Sequence, residues 1–108
     1  VPLVTKQGLQ EALNQLAAHD YAFYQSDNGF EGILLKETLE KALIEQPSGN
    51  IQSEHILATA TVKPDTPLEF ALPKALLSHY ALPVLNKEGK HVGELRQEDL
   101  ASTLDNSE

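Results

Sequence analysis

The chain repeats one pattern of residues, and this duplication constrains the fold more than any other feature. The segment 21–39 aligns with 82–100 without a gap, at a constant spacing of 61 positions, as from Gly32 to Gly93. Further matched pairs are Ala22 with Pro83, Phe23 with Val84, Leu34 with Leu95, Glu37 with Glu98 and Leu39 with Leu100. A duplicated unit in so short a chain predicts two half-domains that face each other, with any ligand between them.

Length and charge restrict the class of protein. With 108 residues and 41% hydrophobic content, the chain can bury one core. A half of about 50 residues would be marginal alone, so we expect the halves, 1–50 and 51–108, to pack into one compact module. The net charge of −8, from 16 acidic and 8 basic side chains, argues against nucleic acid as a partner, because such binding relies on Lys and Arg neutralising phosphates.

The chain lacks cysteine, methionine and any long apolar run, and these absences bear on the compartment in which the protein works and on its parent polypeptide. Without cysteine the chain has neither disulfides nor thiolate metal sites, which is typical of a reducing compartment, so we expect the cytoplasm. No apolar run approaches the roughly 20 residues that span a bilayer. The chain begins at Val1 and contains no Met, which leads us to expect a piece of a longer polypeptide.

The first half predicts a helix, a hairpin and a second helix. Apolar residues within 9–17 recur at helical spacing. Two β-prone runs, 21–25 and 30–35, flank a Ser-Asp-Asn-Gly turn and predict a hairpin. The second helix carries Leu39 on its apolar face and ends before Pro47, because Pro cannot continue the hydrogen-bond ladder.

The second half predicts the same order of elements, with a clear strand leading into it. The run 56–62 is rich in β-branched residues and predicts that strand. Thr66 is a hydroxyl N-cap candidate, and Pro67 suits the first helical position. Pro73 falls inside this helix, so we expect a kink or a short first segment.

A second hairpin and a closing helix complete the second half. The runs 82–85 and 91–95 predict the hairpin, and 97–104 predicts the helix. Each half therefore reads helix, hairpin, helix.

Three segments of the second half resemble a CBS repeat, a unit named for cystathionine β-synthase. They are 61–68 (Thr-Val-Lys-Pro-Asp-Thr-Pro-Leu), 81–85 (Ala-Leu-Pro-Val-Leu) and 89–93 (Gly-Lys-His-Val-Gly), followed by the acidic Asp99. The first half resembles a degenerate copy that lacks the proline of the second hairpin. Together they resemble a tandem CBS pair, or Bateman module, which implies an α/β (α+β) fold of two repeats, each a small sheet with two helices, related by a pseudo-two-fold axis.

Within that family, the segments 11–13 and 20–23 are most similar to the module at the C-terminus of the ATP-binding subunit of glycine betaine/proline betaine ABC transporters. This resemblance implies a non-catalytic regulatory module that acts at the inner face of the cell membrane through its parent transporter. Its implied partners are a second copy, the ATPase domain and the membrane-spanning subunits. The alternative is a module that dimerises the parent without any ligand.

The resemblance also implies where a regulatory ligand binds. In the family pattern a Gly is followed by two apolar residues, Ser or Thr, two variable residues and Asp. The stretch 93–99 keeps Asp99 but has Arg96 at the hydroxyl position, whereas the first copy keeps neither group. The implied nucleotide-binding residues are Thr66, Ala81, Leu82, Arg96 and Asp99. No cofactor is required, and the expected ligand is an adenine nucleotide or a cyclic dinucleotide.

Each charged candidate has a second interpretation that the sequence leaves open. Asp99 either accepts hydrogen bonds from ribose hydroxyls or complements the positive end of its helix. Arg96 either contacts a phosphate or is solvated. The acid excess serves either ionic-strength sensing or solubility. The four histidines lack metal-ligand spacing, and no nucleophile elbow is present, so we expect neither a metal site nor an enzyme.

Overall fold

The computed structural model describes residues 1–96, with the side chain at position 68 excepted, and its contacts divide the chain into two units, Val1–Thr59 and Ala60 onward. Its helices and strands are mixed along the chain, which confirms the predicted α/β class. In order they are β1 (Leu3–Val4), α1 (Leu9–Leu16), β2 (Tyr21–Ser26), β3 (Gly29–Leu35), α2 (Lys36–Glu45), a 3-10 turn (Ser53–His55), α3 (Leu68–Leu77), β4 (Leu82–Leu85) and β5 (His91–Leu95).

The first unit is a three-stranded sheet with two helices. Strand β1 lies parallel to β2, and β2 pairs antiparallel with β3. The predicted hairpin and both predicted helices are confirmed, although α1 ends at Leu16 because Ala17 takes a positive φ of 56°. Strand β1, which leads into the first repeat, was not predicted from the sequence. The buried core joins both helices to the sheet and consists of Val4, Leu9, Ala12, Leu16, Ala22, Tyr24, Leu34, Leu39 and Ala42.

The predicted strand over 56–62 is wrong, because the run divides between the two units. Leu57 forms a single antiparallel bridge with Ile33 of the first unit, and Val62 forms a single parallel bridge with Val84 of the second. The bridge of Leu57 consists of two backbone hydrogen bonds, 2.8 and 2.9 Å long. β-branched residues therefore favour extended backbone here without forming a continuous ladder.

Gly32 lies directly under this bridge. Its φ is +153°, a region that residues with a side chain rarely adopt. A Cβ at this position would lie 2.6 Å from the Leu57 carbonyl oxygen and 2.7 Å from Cγ2 of Ile56. The absence of a side chain is thus what allows the connecting segment to approach β3.

The second unit, as far as residue 96, packs α3 against the β4–β5 hairpin and the bridge at Val62. The strands β4 and β5 lie where the sequence predicted them. The buried residues of this smaller core are Val62, Ala71, Ala75 and Leu82, with Leu72, Val84 and Leu95 partly buried against them. The closing helix predicted over 97–104 lies outside the described residues. The division of the repeats near residue 50 stays a prediction.

One expectation for α3 is wrong, and a second is contradicted in one of its two alternatives. Thr66 does not cap the helix, since α3 begins at Leu68 with Pro67 as its N-cap, and the Pro67 carbonyl accepts hydrogen bonds from the amides of Phe70 and Ala71. Of the two outcomes expected at Pro73, the short first segment is absent, because α3 continues through Pro73 to Leu77, and the kink stays a prediction. A Pro inside a helix removes one hydrogen bond, and burial of alanines on both sides of it holds the helix on the sheet.

The two hairpins pair their strands in different registers. Tyr21 pairs with Leu35, whereas its counterpart Leu82 pairs with Leu95, one residue short of the position that the alignment requires. Gly32 therefore lies opposite Tyr24, but Gly93 lies opposite Val84. Because successive residues of a strand face opposite sides, equal positions in the alignment do not have equal surroundings.

We expect Gly32→Ala to destabilise the fold and Gly93→Ala to be nearly neutral. A Cβ at Gly32 meets backbone and combines that clash with strain, so the free energy of unfolding should fall by roughly 2–4 kcal/mol. Among the described residues, a Cβ at Gly93 would meet only the Cβ of Val84, at 3.9 Å, so its effect should stay below about 1 kcal/mol. Urea denaturation of both variants measures the difference, and equal losses would contradict this account of Gly32.

Candidate functional site

The bridge at Val62 brings two turns of the second unit together. The Val62 amide donates to the Pro83 carbonyl at 3.1 Å, and the Leu85 amide donates to the Val62 carbonyl at 2.8 Å. The residues that follow Val62 therefore leave the sheet beside the residues that follow Leu85. One turn leads into α3, and the other closes the β4–β5 hairpin.

Thr66 closes the first of these turns. Its amide donates to the Lys63 carbonyl at 3.0 Å, and its Oγ1 accepts from the Lys63 amide at 2.9 Å. Pro64 occupies the second position of the turn, where its fixed φ is favourable. The hydroxyl that the sequence offered as a helix cap therefore orders the backbone on which Lys63 is mounted.

The second turn, 86–90, is ordered by the side chain of Asn86. Its Oδ1 accepts hydrogen bonds from the amides of Glu88 and Lys90, both at 3.0 Å. The Asn86 amide also donates to the Lys90 carbonyl at 2.9 Å, and Gly89 supplies the positive φ of 78° that this reversal needs. Lys87 is thus carried on a turn with several internal hydrogen bonds.

Two adjoining cavities lie next to these turns and meet at Val62, Lys63 and Thr66. The basic cavity, of about 330 Å³, is lined by Thr61, Val62, Lys63, Thr66, Lys74, Leu85, Asn86, Lys87 and Gly89. The apolar cavity, of about 250 Å³, is lined by Val62, Lys63, Pro64, Thr66, Ala71, Val84 and Leu95. A third hollow next to them includes Asp65 together with Lys63 and Lys87.

The charge around the basic cavity is opposite in sign to that of the whole chain. The first unit contains eight acidic and three basic residues, and residues 60–108 contain eight acidic and five basic ones, so both are acidic overall. Three of those five line the basic cavity: Lys63, Lys74 and Lys87. On the neighbouring strand, burial lowers the pKa of His91 more than the Glu94 carboxylate raises it, so His91 is largely neutral at pH 7.

The structure brings only part of the predicted site together. Thr66 lines both cavities. Ala81 and Leu82 are buried, Leu82 pairs with Leu95, and neither residue lines either cavity. Arg96 is exposed just after β5, and Asp99 lies outside the described residues. The assignment of these five residues to a nucleotide site stays a prediction.

Sequence analysis missed the three lysines of the basic cavity. They are far apart in the chain, and no motif that we considered links them. The detectable signal was the distribution of charge, because five of the chain's eight basic residues fall within 60–96.

No comparable set of metal ligands is present in the described part of the chain, since within residues 1–96 no three His, Asp or Glu side chains lie close enough to hold an ion. Across the same residues, no helix has the length and apolar character of a membrane span.

Comparison with known proteins relates the chain to one family. The model of the CBS domain matches residues 53–106. No curated protein sequence matches the chain. Among solved structures, a CBS domain pair/ACT domain protein from Thermotoga maritima aligns with a TM-score of 0.77 at 20% identity, covering 98% of this chain and 89% of that one.

Two further structures share the fold at similarly low identity. OpuCA from Staphylococcus aureus has a TM-score of 0.77 at 16% identity, over 99% of this chain and 95% of its own. CBSX2 in complex with AMP, a protein of Arabidopsis thaliana, has a TM-score of 0.68 at 21% identity, over 98% and 89%. Because the family model covers half of the sequence and these alignments extend over nearly all of it, the chain belongs to the CBS domain family and has the fold of a CBS domain pair.

Proposed function

We propose that the chain is a regulatory module that binds an adenine nucleotide through its second repeat. CBS domains are in general regulatory and non-catalytic. The observation that carries the proposal is the pair of cavities that meet at Thr66, one apolar and one basic. An apolar surface suits a base and ammonium groups suit phosphates, so the pair matches the two ends of a nucleotide. The AMP complex of CBSX2 supports this ligand class.

The parent that we propose is the ATP-binding subunit of an ABC importer for betaines. The resemblance of 11–13 and 20–23 to that group of modules supports this parent. The partners would then be the ATPase domain and the membrane-spanning subunits, and the module would act in the cytoplasm at the inner face of the membrane. Its sequence contains no phosphate-binding loop of the G-x-x-x-x-G-K-[ST] type, so ATP hydrolysis belongs to the rest of the parent.

Regulation requires that the ligand bind one state of the parent more tightly than another. The second repeat offers such a coupling point, because a ligand in the two cavities would touch the turn before α3 and the turn after β4 at once. Any motion that separates these turns would weaken binding. Ligand binding would therefore favour the state in which the turns are close, and the parent would respond to that shift.

Calorimetry with ATP, AMP and a cyclic dinucleotide tests the nucleotide site. We expect saturable heat with at least one of them and its loss in Asp99→Ala, since a carboxylate that holds ribose hydroxyls cannot be replaced by a methyl group. Thr38→Ala is the matched control, because Thr38 holds the corresponding place in the first copy, and it should leave binding unchanged. Absence of heat with all three ligands would refute the nucleotide proposal.

A second candidate function, dimerisation without a ligand, is favoured by the exposed apolar residues of α3. Phe70, Leu76 and Leu77 are 62%, 59% and 86% exposed. Large apolar side chains in a group on one helix are typical of a surface that another protein covers, and CBS pair proteins commonly form dimers.

Analytical ultracentrifugation with and without ATP separates the two functions. A purely structural module should sediment as the same dimer in both conditions, and Leu77→Gln should dissociate it because a polar group would enter the interface. Ile44→Gln, at a position that is 82% exposed on α2, is the control. A change in sedimentation on adding ATP would instead support regulation by the ligand.

A further inference from the structure

We propose that the basic cavity of the second repeat binds the phosphate chain of a polyphosphate ligand through Lys63, Lys74 and Lys87. The ligand is either a free polyphosphate or the phosphate tail of a nucleotide. The inference rests on the proposed function and deepens it, because it names the three residues that hold the phosphates, all of them outside the family pattern. The two sites adjoin at Thr66, yet each can fail without the other.

The charge of the lining residues favours an anionic ligand in the basic cavity. Three exposed lysines line this cavity of about 330 Å³, in a chain whose net charge is −8. Like charges around a small cavity repel each other and concentrate a positive potential there. A ligand with several negative charges removes that repulsion, whereas a neutral ligand does not. The charge of the cavity therefore selects a polyanion.

The described part of the chain does not neutralise the lysines of the basic cavity. Within residues 1–96, no carboxylate lies within ion-pair distance of Lys63, Lys74 or Lys87. Lys74 donates one weak hydrogen bond, 3.4 Å long, from Nζ to the Thr61 carbonyl. In sequence, the acidic residues nearest to Lys63 and Lys87 are Asp65, which lines the neighbouring hollow, and the exposed Glu88. The described residues thus leave the three exposed lysines to pair with an anion from solution.

The backbone around the basic cavity is also preorganised for binding. The Val62 bridge and the Thr66 hydrogen bonds fix the backbone at Lys63, and the Asn86 side chain fixes the turn that carries Lys87. Lys74 projects from α3, with its amine held beside Thr61. Binding groups mounted on ordered backbone lose less entropy when a ligand arrives. The cavity volume also falls within the range of small-molecule sites, about 300–1,000 Å³.

Isothermal titration of the 108-residue chain with inorganic tripolyphosphate at low ionic strength tests the site. We expect saturable binding to the unaltered chain and about tenfold weaker binding for Lys63→Gln and for Lys87→Gln, because each loses a charge-assisted contact. Lys6→Gln removes the same charge from an exposed position of the first unit and should change affinity less than twofold. Asp65→Asn should tighten binding, since it removes a nearby negative charge.

A parallel titration with adenosine identifies which proposal is at fault if one fails. Separate phosphate recognition is supported if Lys63→Gln and Lys87→Gln lose tripolyphosphate binding but still bind adenosine. Lys63→Arg keeps the charge and should retain binding, and unchanged thermal unfolding shows that the variants are folded. Absence of tripolyphosphate binding, or an equal loss in Lys6→Gln, would overturn the phosphate site whatever adenosine does.

Discussion

The parallel contact between Val62 and strand β4 is the interaction on which the candidate site depends. Its two backbone hydrogen bonds, to Pro83 and from Leu85, are the step that places the turn before α3 beside the turn of the second hairpin. The basic cavity lies along that junction, and the lysines that line it come from three separate elements. The first unit makes the corresponding contact with a regular pair of strands, β1 and β2. The second repeat thus joins the segment that precedes α3 to its hairpin through a single bridge.

The two repeats share a plan but use its equivalent positions differently. In the first, Gly32 lets the connecting segment approach β3, and that segment covers the glycine with Ile56 and Leu57. In the second, no residue within 1–96 approaches Gly93 as closely. The first unit also has the larger buried core among the described residues and the larger excess of acidic over basic side chains. These differences fit a first repeat that serves as scaffold and a second that carries the ligand site.

Sequence patterns predicted the elements that depend on local periodicity and failed where a distant partner decides. The hairpins and the helices α1 and α2 follow from apolar spacing and turn residues. The run 56–62 is strand-like, but its partners belong to two units, so no ladder forms. Thr66 has the chemistry of a helix cap, yet its hydroxyl binds the Lys63 amide instead. The basic cavity could not be predicted from the sequence either, because its lysines come together only after the chain has folded.

Whether the second repeat alone carries the ligand site can be read from chemical-shift mapping. Amide spectra of the labelled chain would be recorded while ATP is added, under conditions in which both units stay folded. The account predicts that the largest shifts fall in 61–66 and 85–90, the two turns that the Val62 bridge brings together. Shifts of equal size within the first unit, particularly around Gly32, would contradict the division into scaffold and site.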